Sequence, residues 1–231
     1  MIKGLYSTFN HWSENGTVWL YSDPHFGDKD IPDRLPDEEQ IKSINSRVGK
    51  KDTLIILGDI GDIECVKKLR GYKVLITGNH DSGASNYKSR QVIESFLPDE
   101  GSDKDISLKA KEKHPGFRVT KILNGVLFRH VELDNGLFDE VYTGPLMIGE
   151  KIILSHEPID VPWAFNIHGH VHDQNYKGSD MSLNVCSEVI NYTPVNFNKL
   201  IKGGLTSKID SIHRITIDKA RENGIHERTE Y

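Results

Sequence analysis

An α/β domain built on parallel strands is what this sequence predicts, and three observations carry the prediction. "TLIILGD" (Thr53 to Asp59) and "YKVLITG" (Tyr72 to Gly78) are short apolar runs ending in Gly, typical of strands buried on both faces. Between them "DIECVKKLR" (Asp62 to Arg70) reads as a helix that stops at Gly71, so the order is strand, helix, strand. The chain has 231 residues, 36% of them hydrophobic, which suits one domain, residues 1–231, with a core of its own.

The other elements follow in order. "TVWLYSD" (Thr17 to Asp23) is a strand ending in a polar loop, and "EEQIKSINSRV" (Glu38 to Val48) has helical spacing. A helix is expected around Asn86 to Phe96, stopped by Pro98, followed by a charged, turn-rich stretch from Asp99 to about Pro115. "FRVTKI", "VLFRHVEL" and "DEVYTGPLMI" read as antiparallel strands separated by Asn124-Gly125 and Asn135-Gly136 turns. Residues 99–149 are thus expected to form an insertion or lateral extension. "KIILS", "WAFNIHG" and "SLNVCSE" are further strands, and a polar tail of mixed charge begins at about residue 198.

Composition narrows the function. With 29 Lys+Arg against 34 Asp+Glu the net charge is -5, so stable binding to duplex nucleic acid through phosphate contacts is not expected. No window approaches 18 apolar residues, so no membrane partner is expected. The start, "MIKGLYSTFNHW", lacks the apolar core and cleavage site of a signal peptide. The only cysteines, Cys65 and Cys186, read as buried free thiols. Together these features favour a reducing cytoplasm.

Chemistry collects where the strands stop. "YSDPH" supplies Asp23 and His25, "LGD" Asp59, "TGNHD" Asn79, His80 and Asp81, "LSHEP" His156, and "IHGHVH" His168, His170 and His172. Ligands bind outside the carboxyl ends of strands in open α/β sheets. Imidazole, carboxylate and amide together suit divalent transition metals, and thiolate is absent from all five motifs. Asp59 is the natural bridge between two cations. In extended backbone the spacing of two in Asp23/His25 and His170/His172 puts both side chains on one face. His168 reads as structural. The six Lys/Arg between Lys104 and Lys121, against two acids, read as a solvated loop or as a rim that gathers an anion.

In this order, D-x-H, G-D, G-N-H-D, S-H and G-H-x-H resemble the signature of the calcineurin-like metallophosphoesterase superfamily. "SDPHFGDKDI" and "NIHGHVH" are most similar to its small stand-alone bacterial and phage members. The resemblance implies a four-layer α-β-β-α sandwich with two mixed central sheets. It implies two divalent transition-metal ions, Mn²⁺ first, with Fe, Ni or Zn as alternatives. Asp23, His25, Asp59 and His172 would surround one ion, and Asp59, Asn79, His156 and His170 the other. His80 would protonate the leaving oxygen, with Asp81 orienting its ring.

Two such cations bring +4 against -2 from Asp23 and Asp59, leaving a site that attracts phosphate and can lower the pKa of a bound water. The implied activity is hydrolysis of a small phosphate ester by a metal-activated hydroxide. A phosphodiester of nucleotide-like type is preferred, with phosphomonoesterase as the alternative. "GDIGD" lacks the Arg that follows this motif in the family's Ser/Thr protein phosphatases, which turns the reading away from phosphoproteins. Pro24 stands where many relatives carry Thr or an apolar residue. A catalytically silent scaffold of the same fold is the alternative of another class, although here every motif position is filled.

Overall fold

The computed structural model describes residues 1–31, 33–173, 175, 178–210 and 212–222. In chain order the strands are β1 (Val18–Tyr21), β2 (Thr53–Ile56), β3 (Tyr72–Ile76), β4 (Gln91–Phe96), β5 (Arg118–Asn124) and β6 (Arg129–Asp134). They continue with β7 (Glu140–Tyr142), β8 (Leu146–Gly149), β9 (Ile152–Leu154), β10 (Phe165–His168), β11 (Ser182–Asn184) and β12 (Val195–Asn196). The helices are α1 (Asp37–Arg47), α2 (Asp103–Lys113), α3 (Phe197–Lys202) and α4 (Ile212–Glu222), with a 3-10 helix at Ser7–Ser13 and another at Ile63–Lys68.

These strands form a mixed α/β fold with three sheets, ordered β12-β1-β2-β3-β7, β11-β10-β9-β8 and β4-β6-β5. In the first, β1, β2, β3 and β7 run parallel, as do β9, β10 and β11 in the second. The two larger sheets share one core. Val18, Leu20, Ile55 and Val74 of the first pack with Ile148, Leu154 and Ile167 of the second, and Phe9 and Trp12 join them. Tyr21, Leu54, Ile56 and Leu75, on the opposite face of the first sheet, pack with Ile41 and Ile44 of α1 and with Cys65 and Val66. Every residue of β2 is buried, as a strand covered on both faces requires. Truncating such a side chain to Ala costs about 2 to 5 kcal/mol.

Elsewhere the structure departs from the sequence reading. The expected helix at Asn86 to Phe96 is instead strand β4, because six residues pair antiparallel with β6. Its exposure alternates, a period of two that a window ended by Pro98 disguised. The turn-rich stretch holds α2, opened by a capping box in which Ser102 and Asp105 satisfy each other's backbone N–H groups. Only the first Asn-Gly turn closes a hairpin, β5–β6. After the second, the chain leaves for the core, and "DEVYTGPLMI" divides into β7 of the first sheet and β8 of the second. The lateral sheet and α2 therefore span 91–134 rather than 99–149, around their own core of Phe96, Ile106, Ala110, Val131 and Leu133. "DIECVKKLR" forms the 3-10 helix, and "SLNVCSE" stays a strand only to Asn184. The tail carries α3 and α4, and residues 223–231 lie outside the described residues. Among the described residues no helix is long and apolar enough to cross a membrane.

Candidate metal centre

Parallel strands bring the motifs together by stopping at the same edge. Asp23 and His25 follow β1, Asp59 follows β2, Asn79 and His80 follow β3, His156 follows β9, and His170 and His172 follow β10. The loops are not extended. Four of the seven described non-glycine residues with positive φ are Asp23 (53°), His25 (44°), Asp59 (54°) and His170 (66°). The same-face argument for the two-residue spacings is corrected: left-handed turns, not a pleat, aim these side chains. Such backbone is costly and persists where surrounding contacts impose it, which is characteristic of functional sites. Two glycines make room for the carboxylates. A Cβ on Gly169 would lie 2.1 Å from Asp23 Oδ2, and one on Gly78 would lie 2.2 Å from Asp59 Oδ1.

Among the described residues three groups of donors converge within 4.8 Å: one joins Asp23 and His172 to the Cys186 thiol, and two share Asp59. In one of these two, Asp23, His25 and Asp59 bring ligand atoms within 4.8 Å of one another. His25 Nε2 is 3.7 Å from Asp59 Oδ2, and His172 Nε2 is 3.7 Å from Asp23 Oδ1. In the other, Asp59, His156 and His170 converge within 4.8 Å. His156 Nε2 lies 3.4 Å from Asp59 Oδ2, 2.8 Å from Asn79 Oδ1 and 3.1 Å from His170 Nδ1. The structure thus brings together all seven residues proposed from sequence as ligands.

The donor sets fit cations. Asp23 Oδ1 and His25 Nε2 are buried and have no hydrogen-bond partner, an arrangement that costs free energy unless a positive charge meets them. His156 gives its Nδ1 proton to the Leu57 carbonyl at 2.8 Å, and its Nε2 faces the Asn79 and Asp59 oxygens. Without a metal a second ring proton stands between Nε2 and these oxygens; in the neutral ring that place is open to a cation. The electrostatics of the metal-free site follow from this. Burial raises the Asp23 carboxyl and lowers the His25 ring. Burial also opposes charge on His156, but Asp59, Asp23 and the Leu57 carbonyl outweigh it and push the ring to about 9. For Asp59, burial pulls upward, yet hydrogen bonds from His156 and the His80 N–H hold the carboxyl below its usual range.

His80 is exposed, lies 5.9 Å ring to ring from His25, and donates its backbone N–H to Asp59 Oδ1 at 3.0 Å. Asp81 is a correction. Its carboxylate does not orient the His80 ring; it accepts the backbone N–H groups of Asp59 (2.9 Å), Ile60 (3.0 Å) and Gly78 (2.8 Å). Asp81 therefore ties the loop after β2 to the loop after β3 and holds Asp59 in its left-handed turn.

Three further residues meet the site without belonging to a motif. Asp28 places Oδ2 3.7 Å from His25 Nδ1. With His25, Ile31, Gly61, His80 and His172 it lines a cleft of about 390 Å³. Glu188 accepts from His172 Nδ1 at 3.1 Å, and Cys186 Sγ lies 3.4 Å from the same nitrogen. Both cysteines are buried and unpaired, as read, but Cys186 belongs to the site's surroundings, and burial pushes its thiol up. The spacing "CSE" carried no signal for this, because the contact depends on how β10 and β11 pair. His168 is fully buried, and its Nδ1 faces the Gly169 carbonyl at 2.9 Å.

No family model and no curated protein matches this chain. Among solved structures, the crystal structure of a protein of unknown function from Aquifex aeolicus is similar. It is 21% identical, with a TM-score of 0.49, and the match covers 80% of this chain and 98% of that one.

Proposed function

We propose that this chain is a dinuclear-metal-dependent phosphoesterase of the calcineurin-like type, with the two core-sharing sheets as the centre of a four-layer sandwich. The observation that carries the reading is Asp59. Its carboxylate lies between two converging donor sets, one of which contains the unpartnered Asp23 Oδ1 and His25 Nε2. Asp23, His25, Asp59 and His172 would hold one divalent ion, and Asp59, Asn79, His156 and His170 the other, with Mn²⁺ expected before Fe, Ni or Zn. Bound there, such ions supply positive charge for the phosphoryl oxygens and an activated water.

The chain's own residues do the rest. Asp81 keeps the Asp59 loop in place. His80, exposed on the cleft wall, would give a ring proton to the leaving oxygen, a contribution of about 10²- to 10⁴-fold. A diester is favoured over a monoester because Asp28 lines the cleft and none of the described lining residues is Lys or Arg. A monoester dianion would meet the Asp28 carboxylate there with no lysine or arginine to offset it, whereas a diester carries a single charge. Two buried, unpaired cysteines fit a reducing cytoplasm.

The test is a screen of metal-reconstituted protein against bis-p-nitrophenyl phosphate, p-nitrophenyl phosphate and a nucleotide panel. Faster turnover of the diester, abolished by chelation, is expected. Metal-loaded protein that hydrolyses none of these would leave the silent scaffold as the better reading.

A further inference from the structure

We infer that Glu188 is a positioning residue that sets which nitrogen of His172 faces the first metal position; the inference rests on the two-metal reading above. Glu188 Oε2 accepts from His172 Nδ1 at 3.1 Å, from Ser187 Oγ at 3.0 Å and from Cys186 Sγ at 3.2 Å. The His172 Nδ1 proton is thereby engaged, and Nε2 is left as the lone-pair nitrogen, 3.7 Å from the unpartnered Asp23 Oδ1. In a neutral histidine, the hydrogen bond at one ring nitrogen decides which nitrogen is available to a metal, and a carboxylate partner also strengthens the ring as a donor.

The frame that carries Glu188 is hydrogen-bonded on several sides and shared with Asp23. Val185 N–H donates to the His168 carbonyl at 2.7 Å, and Ser187 N–H donates to the Ser22 carbonyl at 3.0 Å. The one Ser187 hydroxyl proton is shared between Glu188 Oε2 and the Asp23 carbonyl, 2.8 Å away, and Asn184 Nδ2 donates to the Val171 carbonyl at 2.6 Å. The segment after β11 thus spans both large sheets and the His172 loop. His172 needs such an anchor more than His156 does. The His156 side chain is 4% exposed and held by a backbone carbonyl, whereas that of His172 is 37% exposed. Each donor set then contains one histidine fixed through its Nδ1, one by Leu57 and one by Glu188.

The experiment uses full-length protein with ¹⁵N-labelled histidine, as wild type, Glu188→Ala and Glu188→Gln. Long-range ¹H–¹⁵N spectra of the metal-free proteins at alkaline pH, where the ring is neutral, should show His172 as the Nδ1–H tautomer in wild type. Glu188→Gln should retain it, since an amide oxygen still accepts, and Glu188→Ala should lose it. Calorimetric titration with Mn²⁺ should then show one of two sites weakened about 10- to 100-fold in Glu188→Ala, with the other unmoved. A wild-type His172 protonated at Nε2, or a Glu188→Ala protein with unchanged tautomer and unchanged Mn²⁺ affinity, would overturn the inference. If the tautomer switches as described but no variant takes up metal, the positioning role stands and the two-metal reading falls.

Discussion

Glu140 and Asp23 are both acids surrounded by histidine and other polar groups, and the fold treats them in opposite ways. Glu140 is saturated. Its Oε1 accepts from His11 Nε2 (2.5 Å), Trp12 Nε1 (3.1 Å) and the Tyr72 hydroxyl (2.7 Å), and its Oε2 from the Tyr142 hydroxyl (2.5 Å). Burial pulls this carboxyl upward, but the four donors outweigh it and hold it below the usual carboxylate range. Asp23 is fully buried, yet leaves Oδ1 without a partner and sits in a left-handed turn. The difference separates two uses of an acid drawn away from solvent, Glu140 partly and Asp23 completely. A satisfied one, on relaxed strand backbone, locks the fold. An unsatisfied one, on strained loop backbone beside other unsatisfied donors, is open to a cation.

The largest effect that would sharpen this contrast is expected from Asp59→Asn. Removing the shared carboxylate charge should weaken both metal positions together and lower turnover by more than about 100-fold, beyond what partners outside the ligand shell are worth. Metal titration showing one position untouched would break the shared-ligand assignment. His80→Ala comes next. Turnover should fall about 10²- to 10⁴-fold while elemental analysis still finds both metals. Full activity on mono- and diester probes would remove His80 from the chemistry.

Glu140 tests the other side. Glu140→Ala should cost about 3 kcal/mol, the scale of hydrogen bonds to a charged group, and lower Tm by roughly 6 to 12 °C with metal uptake unchanged. The pH dependence follows from the sign of its shift. A carboxyl depressed in the folded state stabilises above its ordinary value of 4.5, and that contribution is lost as pH falls through the lower folded value. Wild type should therefore lose stability on acidification below this point more steeply than Glu140→Gln, as thermal melts across that range would show. Parallel curves would mean that Glu140 is not depressed. The smallest effect is expected at Asp28. Asp28→Asn should improve monoester turnover relative to diester by about fivefold, the ~1 kcal/mol of a close, water-screened charge. An unchanged ratio would take Asp28 out of substrate selection.

Much of this was legible in the residues. "TLIIL" and "KVLI" announced buried parallel strands because covering both faces leaves no polar alternation. Each ligand motif stood directly after such a run. Asp81 was misread because its place beside His80 in the sequence says nothing about the backbone N–H groups of the neighbouring strand's loop, which are its partners in space. Gln91 to Phe96 was misread because its period of two is exposed only by pairing with Arg129 to Asp134, more than thirty residues on.

What the sequence by itself determined is the inventory: which strands are apolar, which polar side chains end them, and in what order. Only the tertiary structure decided how those side chains sort into two sets around Asp59, why their loops turn left-handed, and that Glu188 stands behind His172. The physical reason is range. Burial periodicity and residue chemistry are local properties, written along the chain. Which lone pair faces which depends on strand register and on contacts between sheets more than a hundred residues apart, as between Asp23 and His170.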